Sequence, residues 1–431
     1  MRRSRGLASA LTFALLVGAA LAAPAPARAE PEPTTSEPNN EIEVSPDVLL
    51  PARLDAIEVR GLIRTQEFVV LRELGFEAGQ VVARPALDLA IKRLWNTTIF
   101  SKVRGRVERR AGRTVLALDL EDRWTLNPLL GYGSGGSAFF FRIGATDNNL
   151  AGRFLEVQAQ YQFFDGFHGG QVILRDPRLF HRRMELTVQL ERLVRPRPRF
   201  SDQRTLGAVE LSRLFLSDRV RVGLRTSVFA DRFLEPLEPP ADFPAPTETA
   251  LFEPSFRVGR VDTVRLRQTG ASLELKPGLG LPVGGPGSQF AQAQLEALLF
   301  GLVGSRANVA VRLRAAGVSA VPRHLLVYAG GLDLVRGFPD NHAAARALAL
   351  ANVELRVVAF DSTWLALMPT AFVDGMVWRT EEGARRGALS GGLGVRFLIP
   401  KFVGTGMRLD VAVPVESPFK VSPSIGVYQF F

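Results

Sequence analysis

Beyond Trp124 the chain alternates apolar and polar residues with a period of two for about 300 residues, and this pattern commits it to sheet. Leu155, Val157, Ala159, Tyr161 and Phe163 are apolar, with Glu156, Gln158, Gln160 and Gln162 between them. Residues 184–191, 309–314, 353–356 and 408–413 repeat the pattern. In a strand the two sets face opposite sides. One apolar face also describes a soluble sandwich, so the strand number matters. About sixteen candidates can be read, from 125–132 to 422–431. The count is even, and the spacing suits membrane-crossing strands of ~10 residues. A sheet this large must close on itself to remove its edges. No later apolar run approaches the ~20 residues that a membrane helix requires. The expected fold is mainly β: a 16-stranded antiparallel transmembrane β-barrel over residues 124–431, preceded by one small α/β domain.

The first 29 residues read as a signal peptide. Arg2, Arg3 and Arg5 form a basic start, Leu7 to Leu21 an apolar run, and Ala27-Arg28-Ala29 a small-x-small cleavage site. Residues 30–50 are Pro-rich and acidic, and are expected to be a flexible linker. Residues 51–123 read as a compact unit of order β-α-α-β-β. Leu54, Ile57 and Val59 give a strand ending at Gly61. Thr65 is an expected N-cap, followed by a helix whose apolar stripe is Phe68, Val69, Leu71 and Leu74. A second helix begins at Ala83-Arg84-Pro85 and buries Leu87, Ala90, Ile91 and Leu94. The runs 103–107 and 116–121 close the unit as strands.

Composition excludes several function classes. The chain has no cysteine, which removes disulfides, thiol catalysis and cysteine metal sites. The net charge of +10 falls to +6 once the four arginines of the signal are gone. The remaining arginines are scattered through alternating strands without a basic block, so nucleic acid is not an expected partner. Gly131-Tyr132-Gly133-Ser134-Gly135-Gly136 fits a phosphate-binding glycine pattern, but no helix follows. It reads as a flexible loop between the first two barrel strands. His168, His181, His324 and His342 lack metal-ligand spacing, and no nucleophile elbow occurs. Neither enzyme activity nor a cofactor is expected.

Two long connections interrupt the strands. One, near 232–250, has six prolines between Pro236 and Pro254 and reads as an external loop. The other spans about 317–349 and contains Val335-Arg336-Gly337-Phe338. This run resembles the VRGF/Y motif of the BamA/TamA outer-membrane assembly superfamily (the bacterial surface antigen family), where it lies in the sixth external loop. Ala351-Asn352-Val353-Glu354-Leu355-Arg356 is similar to that family's N-x-E-L-R stretch. Phe372-Val373-Asp374-Gly375 is similar to its F-x-D-x-G, with Met376 where glycine is usual. Asp147-Asn148-Asn149-Leu150-Ala151-Gly152, Asp176-Pro177-Arg178-Leu179-Phe180 and Arg408-Leu409-Asp410-Val411-Ala412 resemble further family segments in the same order. Ile57-x-Val59-x-Gly61, Leu94 through Val103 and the run 115–121 resemble a POTRA domain. The resemblance implies a loop folded back into the lumen, with Arg336 paired to Glu354 and Asp374. It also implies a C-terminal strand signal in Gly426, Tyr428, Phe430 and Phe431, with Phe431 one residue beyond the usual register.

The function implied is insertion, assembly or translocation of proteins at the Gram-negative outer membrane, with the POTRA-like domain in the periplasm. Client strands would be received by β-augmentation there and at a lateral seam of the barrel. The implied partners are the lipid bilayer, unfolded outer-membrane or secreted clients, and periplasmic chaperones or accessory proteins. The alternatives are a passive pore, and an exporter of the two-partner-secretion type. The latter fits less well, because residues 31–50 hold too many prolines for a plug helix and only one POTRA-like unit precedes Trp124.

Overall fold

A computed structural model describes residues 40–135, 138–197, 200–216, 219–234, 243–264, 266–319, 321–362, 364–399, 406–417 and 420–427. The expected signal peptide, residues 30–39 and the aromatic C-terminus (Tyr428, Phe430, Phe431) lie outside them. The chain divides into two units: Met1–Gly61 with Glu73–Glu121, and Leu62–Arg72 with Asp122–Phe431.

In the first unit, β1 (Asn40–Val44), β3 (Ala56–Arg60), β5 (Phe100–Arg110) and β6 (Arg113–Asp122) form one sheet in the order β1-β5-β6-β3, and the short strands β2 (Ala52–Arg53) and β4 (Val81–Val82) pair with each other. β1 runs parallel to β5, and β3 runs parallel to β6. Helix α2 (Arg84–Asn96) has proline at its start and buries Leu87, Ala90, Ile91 and Leu94. It packs on β1 and β5.

Three expectations are corrected in this part of the chain. Residues 40–44 are a strand, not linker. Their Glu-Ile-Glu-Val alternation follows the prolines and pairs with residues sixty-three positions away, so local composition hid it. Thr65 does not cap helix α1 (Glu67–Leu74); its hydroxyl donates to Asp122 Oδ1 at 2.5 Å. The buried face of α1 is Val69, Val70 and Leu74, while Leu71 is exposed.

In the second unit sixteen antiparallel strands close into a barrel. The first four are Leu126–Gly135, Ala138–Asp147, Glu156–Phe164 and Phe167–Asp176. The fifth to eighth are Met184–Pro196, Ser201–Phe215, Val220–Leu234 and Thr247–Val264. Next come Arg267–Gly284, Phe290–Val303, Ala307–Val318 and Ala347–Val357. Ala366–Arg379, Arg385–Leu398, Gly406–Pro414 and Ser422–Val427 complete the circle. The two-residue strand Phe360–Asp361 adds to the edge of the thirteenth. Gly131–Gly135 belongs to the first strand and is not a loop. A Cβ at Gly131 would stand 3.3 Å from Arg142 Cβ, so glycine here marks close approach between strands.

The two faces of each strand differ in kind. Val353, Leu355, Val373, Val377, Leu389, Leu393, Leu409 and Val411 are exposed on the outside. Asn352, Glu354, Arg356, Asp374, Ser390, Arg396, Arg408 and Asp410 are buried inside. This inverts the arrangement of a water-soluble protein, where charges face solvent. Among the described residues the circle closes where the sixteenth strand pairs with the first.

Candidate functional site

The connection between the eleventh strand (Ala307–Val318) and the twelfth (Ala347–Val357) carries the site. It holds a 3-10 turn (Arg323–Leu325), two paired short strands (Val327–Ala329 and Ala343–Ala345) and a helical turn (Gly331–Leu334). Val335-Arg336-Gly337-Phe338 follows that turn. Val335 and Phe338 sink into an apolar cluster with Leu348, Leu350, Met376 and Trp378. Their burial places Arg336 against the wall.

Arg336 is 1% exposed. Its Nε and Nη2 donate to the two carboxylate oxygens of Asp374, at 2.7 and 2.9 Å. Its Nη1 donates to Glu354 Oε1 at 2.6 Å. Its own amide donates to Asp374 Oδ2 at 3.1 Å, and its carbonyl accepts from Ser390 Oγ at 2.5 Å. The guanidinium lies 3.4 Å from the centroid of the Phe372 ring, in cation–π range. Period-two alternation explains the set. Glu354 lies between outward Val353 and Leu355, and Asp374 shares an inward face with Phe372.

The network extends beyond these three residues. Arg356 Nε donates to Glu354 Oε2 at 2.7 Å. Arg396 donates to Glu354 Oε1 at 3.1 Å and to Asp410 Oδ1 at 2.5 Å. Asn352 Nδ2 donates to Asp374 Oδ1 at 2.9 Å, and its Oδ1 accepts from Arg312 Nε at 2.9 Å. Arg408 Nη1 lies 3.8 Å from Asp410 Oδ2. Buried charges persist only when paired and hydrogen-bonded, and a guanidinium's planar fork serves two carboxylates at once. Arg396, Asp410, Asn352, Ser390 and Phe372 had no site role in the sequence reading. Their signal was available: each is an inward residue in a strand whose alternate positions are apolar.

The same connection is held at the opposite wall. His324 Nε2 lies 3.2 Å from Thr247 Oγ1 and 3.6 Å from Asp231 Oδ2, and its ring meets Phe233 edge-on at 4.9 Å. Asn341 accepts from Arg197 Nη1 at 2.6 Å and donates to the Pro196 carbonyl at 3.0 Å. Arg197 lies 3.9 Å from the Tyr328 ring centroid. Asp231 and Asp202 are fully buried, and Arg204 grips Asp231 through two bonds of 2.7 and 2.6 Å. The connection is therefore a strap, tied to strands five to eight at one side and twelve to fourteen at the other.

Two further features bear on the site. The first and sixteenth strands meet through Gly133↔Gly426 and Ser134↔Ile425, the only register pairs among the described residues. Gly426 is buried, and a Cβ there would lie 2.7 Å from Arg408 Nε. At the other feature, the turn after the second strand, Arg64 Nη2 donates to Asp147 Oδ2 at 2.5 Å and Asn149 Nδ2 to Thr65 Oγ1 at 2.8 Å. Asp122 accepts the amides of Ile63, Arg64 and Thr65. Among the described residues no group of three His, Asp or Glu side chains could hold a metal ion.

No protein-family model matches the sequence, and no curated protein matches it. Solved structures do resemble it. BamA from Haemophilus ducreyi lacking POTRA domains 1-3 matches with a TM-score of 0.67 at 16% identity, covering 87% of this chain and 84% of that one. CdiB from Escherichia coli matches with a TM-score of 0.62 at 13% identity, covering 88% and 77%. CdiB from Acinetobacter baumannii matches with a TM-score of 0.59 at 15% identity, covering 88% and 74%. The fold is that of the BamA and CdiB barrels.

Proposed function

We propose that this chain is an outer-membrane protein that inserts or translocates unfolded client polypeptides. The α/β unit is its POTRA-like periplasmic domain, and the joint between the first and sixteenth strands is its lateral opening. The observation that carries the reading is Arg336 clamped on Glu354 and Asp374, inside a barrel of the BamA and CdiB fold. Such a clamp keeps a long strap ordered against its conformational entropy. The same strap argues against a wide, permanently open pore. The outward apolar belt supplies the surface that lipid requires. No fuel is needed, because folding and burial of the client in the bilayer provide the driving force.

The test uses the natural absence of cysteine. A Ser134→Cys, Ile425→Cys chain places one thiol on each side of the joint. It replaces the natural protein in its own cells, and the outer-membrane and secreted proteomes are quantified. Oxidation is expected to deplete a set of clients, and reduction to restore them. A fully cross-linked protein with both proteomes unchanged would overturn the reading.

A further inference from the structure

In the first unit the side of β5 that faces away from β6 is occupied by the chain's own strand β1. β1 lies along it in parallel register, from Asn40↔Val103 to Val44↔Val107, and the Ser45 amide continues the ladder to the Val107 carbonyl at 2.9 Å. The seat is shaped for this occupant. Gly105 faces Ile42 in the register, and a Cβ there would stand 3.1 Å from Ile91 Cδ1 and 3.2 Å from Ile42 Cδ1. The missing side chain makes a notch that Ile42 fills together with helix α2, and Ile42 is buried. Arg84, at the start of α2, donates from Nη2 to the Ile42 carbonyl at 3.2 Å. On either side of the notch the charges are complementary. Glu43 accepts from Arg106 Nε at 3.3 Å, and Glu41 stands opposite Arg104.

We propose that β1 is a resident stand-in for a client strand, and that the β5 edge is a docking site for an extended peptide with an aliphatic residue flanked by two acids. The inference rests on the client-handling reading above and specifies what its first encounter recognises. Backbone pairing gives affinity, and alternate side chains give specificity, in any such strand addition. The notch selects a branched aliphatic side chain, and Arg104 and Arg106 select acids beside it. The tether from Ser45 to β3 is short, so the effective concentration of β1 at its seat is in the millimolar range. The Glu43–Arg106 pair is exposed and adds little to the hold. β1 pairs over only five residues, so a client that pairs over a longer stretch displaces it.

The test uses a fluorescent peptide of residues 39–47 and the whole mature chain in detergent. Ile42→Asp with Val44→Asp unseats β1. The peptide is expected to bind this variant at least ~tenfold more tightly than the natural chain, because it no longer competes with a tethered strand. Adding Gly105→Leu should abolish binding, and raised salt should weaken it. Equal binding to the natural and unseated chains, or none to either with barrel unfolding unchanged, overturns the proposal. A second measurement needs no variant. Excess peptide added to the natural chain should raise hydrogen exchange of the Ser45 amide and the rest of β1; unchanged protection at saturating peptide overturns it equally. A chain that passes here and fails the cysteine-joint experiment keeps its occupied edge and loses only its clients.

Discussion

Gly392 stands directly opposite Phe372 in the pairing of the fourteenth and thirteenth strands, and the Phe372 ring fills the space a side chain at 392 would need. A Cβ there would lie 2.5 Å from Phe372 Cζ and 2.1 Å from the Val411 carbonyl oxygen. The ring in turn lies against the Arg336 guanidinium. Gly392→Val is therefore expected to cost about 1–3 kcal/mol through overpacking. It should also loosen the strap, making residues 323–346 more sensitive to protease. Gly391→Ala is its control, because the nearest atom to a Cβ there is 3.6 Å away. Thermal unfolding in detergent compares the two; equal melting would contradict the packing argument.

Removing Arg336 leaves Glu354 and Asp374 buried with less compensation. Breaking a buried ion pair by deleting one partner costs about 3–5 kcal/mol. Arg336→Ala should lower the melting temperature and expose the strap to protease. Arg336→Lys should fall between, keeping the charge but losing the two-pronged contact with Asp374. A variant that melts and resists cleavage like the natural protein would remove the pinning role.

The outward face can be tested independently of function. Leu393 is 69% exposed, a position at which a soluble protein would accept arginine without penalty. Against lipid, arginine costs ~2–4 kcal/mol near the bilayer midplane. Leu393→Arg should reduce stability measured in lipid vesicles and the yield of inserted protein. Full stability in vesicles would argue that this face does not meet hydrocarbon.

Asp122 gives a pH-dependent signature. Partial burial opposes its charge, but the Thr65 hydroxyl and the amides of Arg64, Thr65 and Ile63 outweigh it and hold the carboxyl below its ordinary value. With the folded pKa depressed, the stabilisation is full above the ordinary carboxylate range and is lost as pH falls through the folded value. Exchange protection of the amides at 63–65, corrected for intrinsic rates, should persist at pH 5 and fall only below the ordinary aspartate range. Asp122→Asn should lose that dependence. Identical acid profiles for the two chains would disprove the assignment.

The sixteen strands were legible because their faces meet different surroundings, which imposes a strict apolar–polar rhythm. Their ends were less so. The eighth and ninth strands run as Thr247–Val264 and Arg267–Gly284, beyond the alternating cores at 251–260 and 270–279. At those extensions one face no longer needs to be apolar, so the rhythm fades while the ladder continues. Alternation put Glu354 and Asp374 on an inward face, but only the likeness of Val335-Arg336-Gly337-Phe338 to a known motif pointed to Arg336. The His324–Asp231 contact had no local signal, since neither residue is unusual in its own segment. β1 was missed for a similar reason: its partner is far along the chain, and proline-rich surroundings masked four alternating residues.

The strap's two anchorages have a mechanical consequence. Strands five to eight and twelve to fourteen are braced at a fixed separation, as a tie-rod holds opposite walls of a drum. Any change of girth must then be taken up in the arcs between the braced walls. One of those arcs contains the meeting of Gly133 with Gly426, where the described hoop of hydrogen bonds is thinnest. A cylinder stiffened in this way concentrates its compliance in that sector while the remainder keeps its shape.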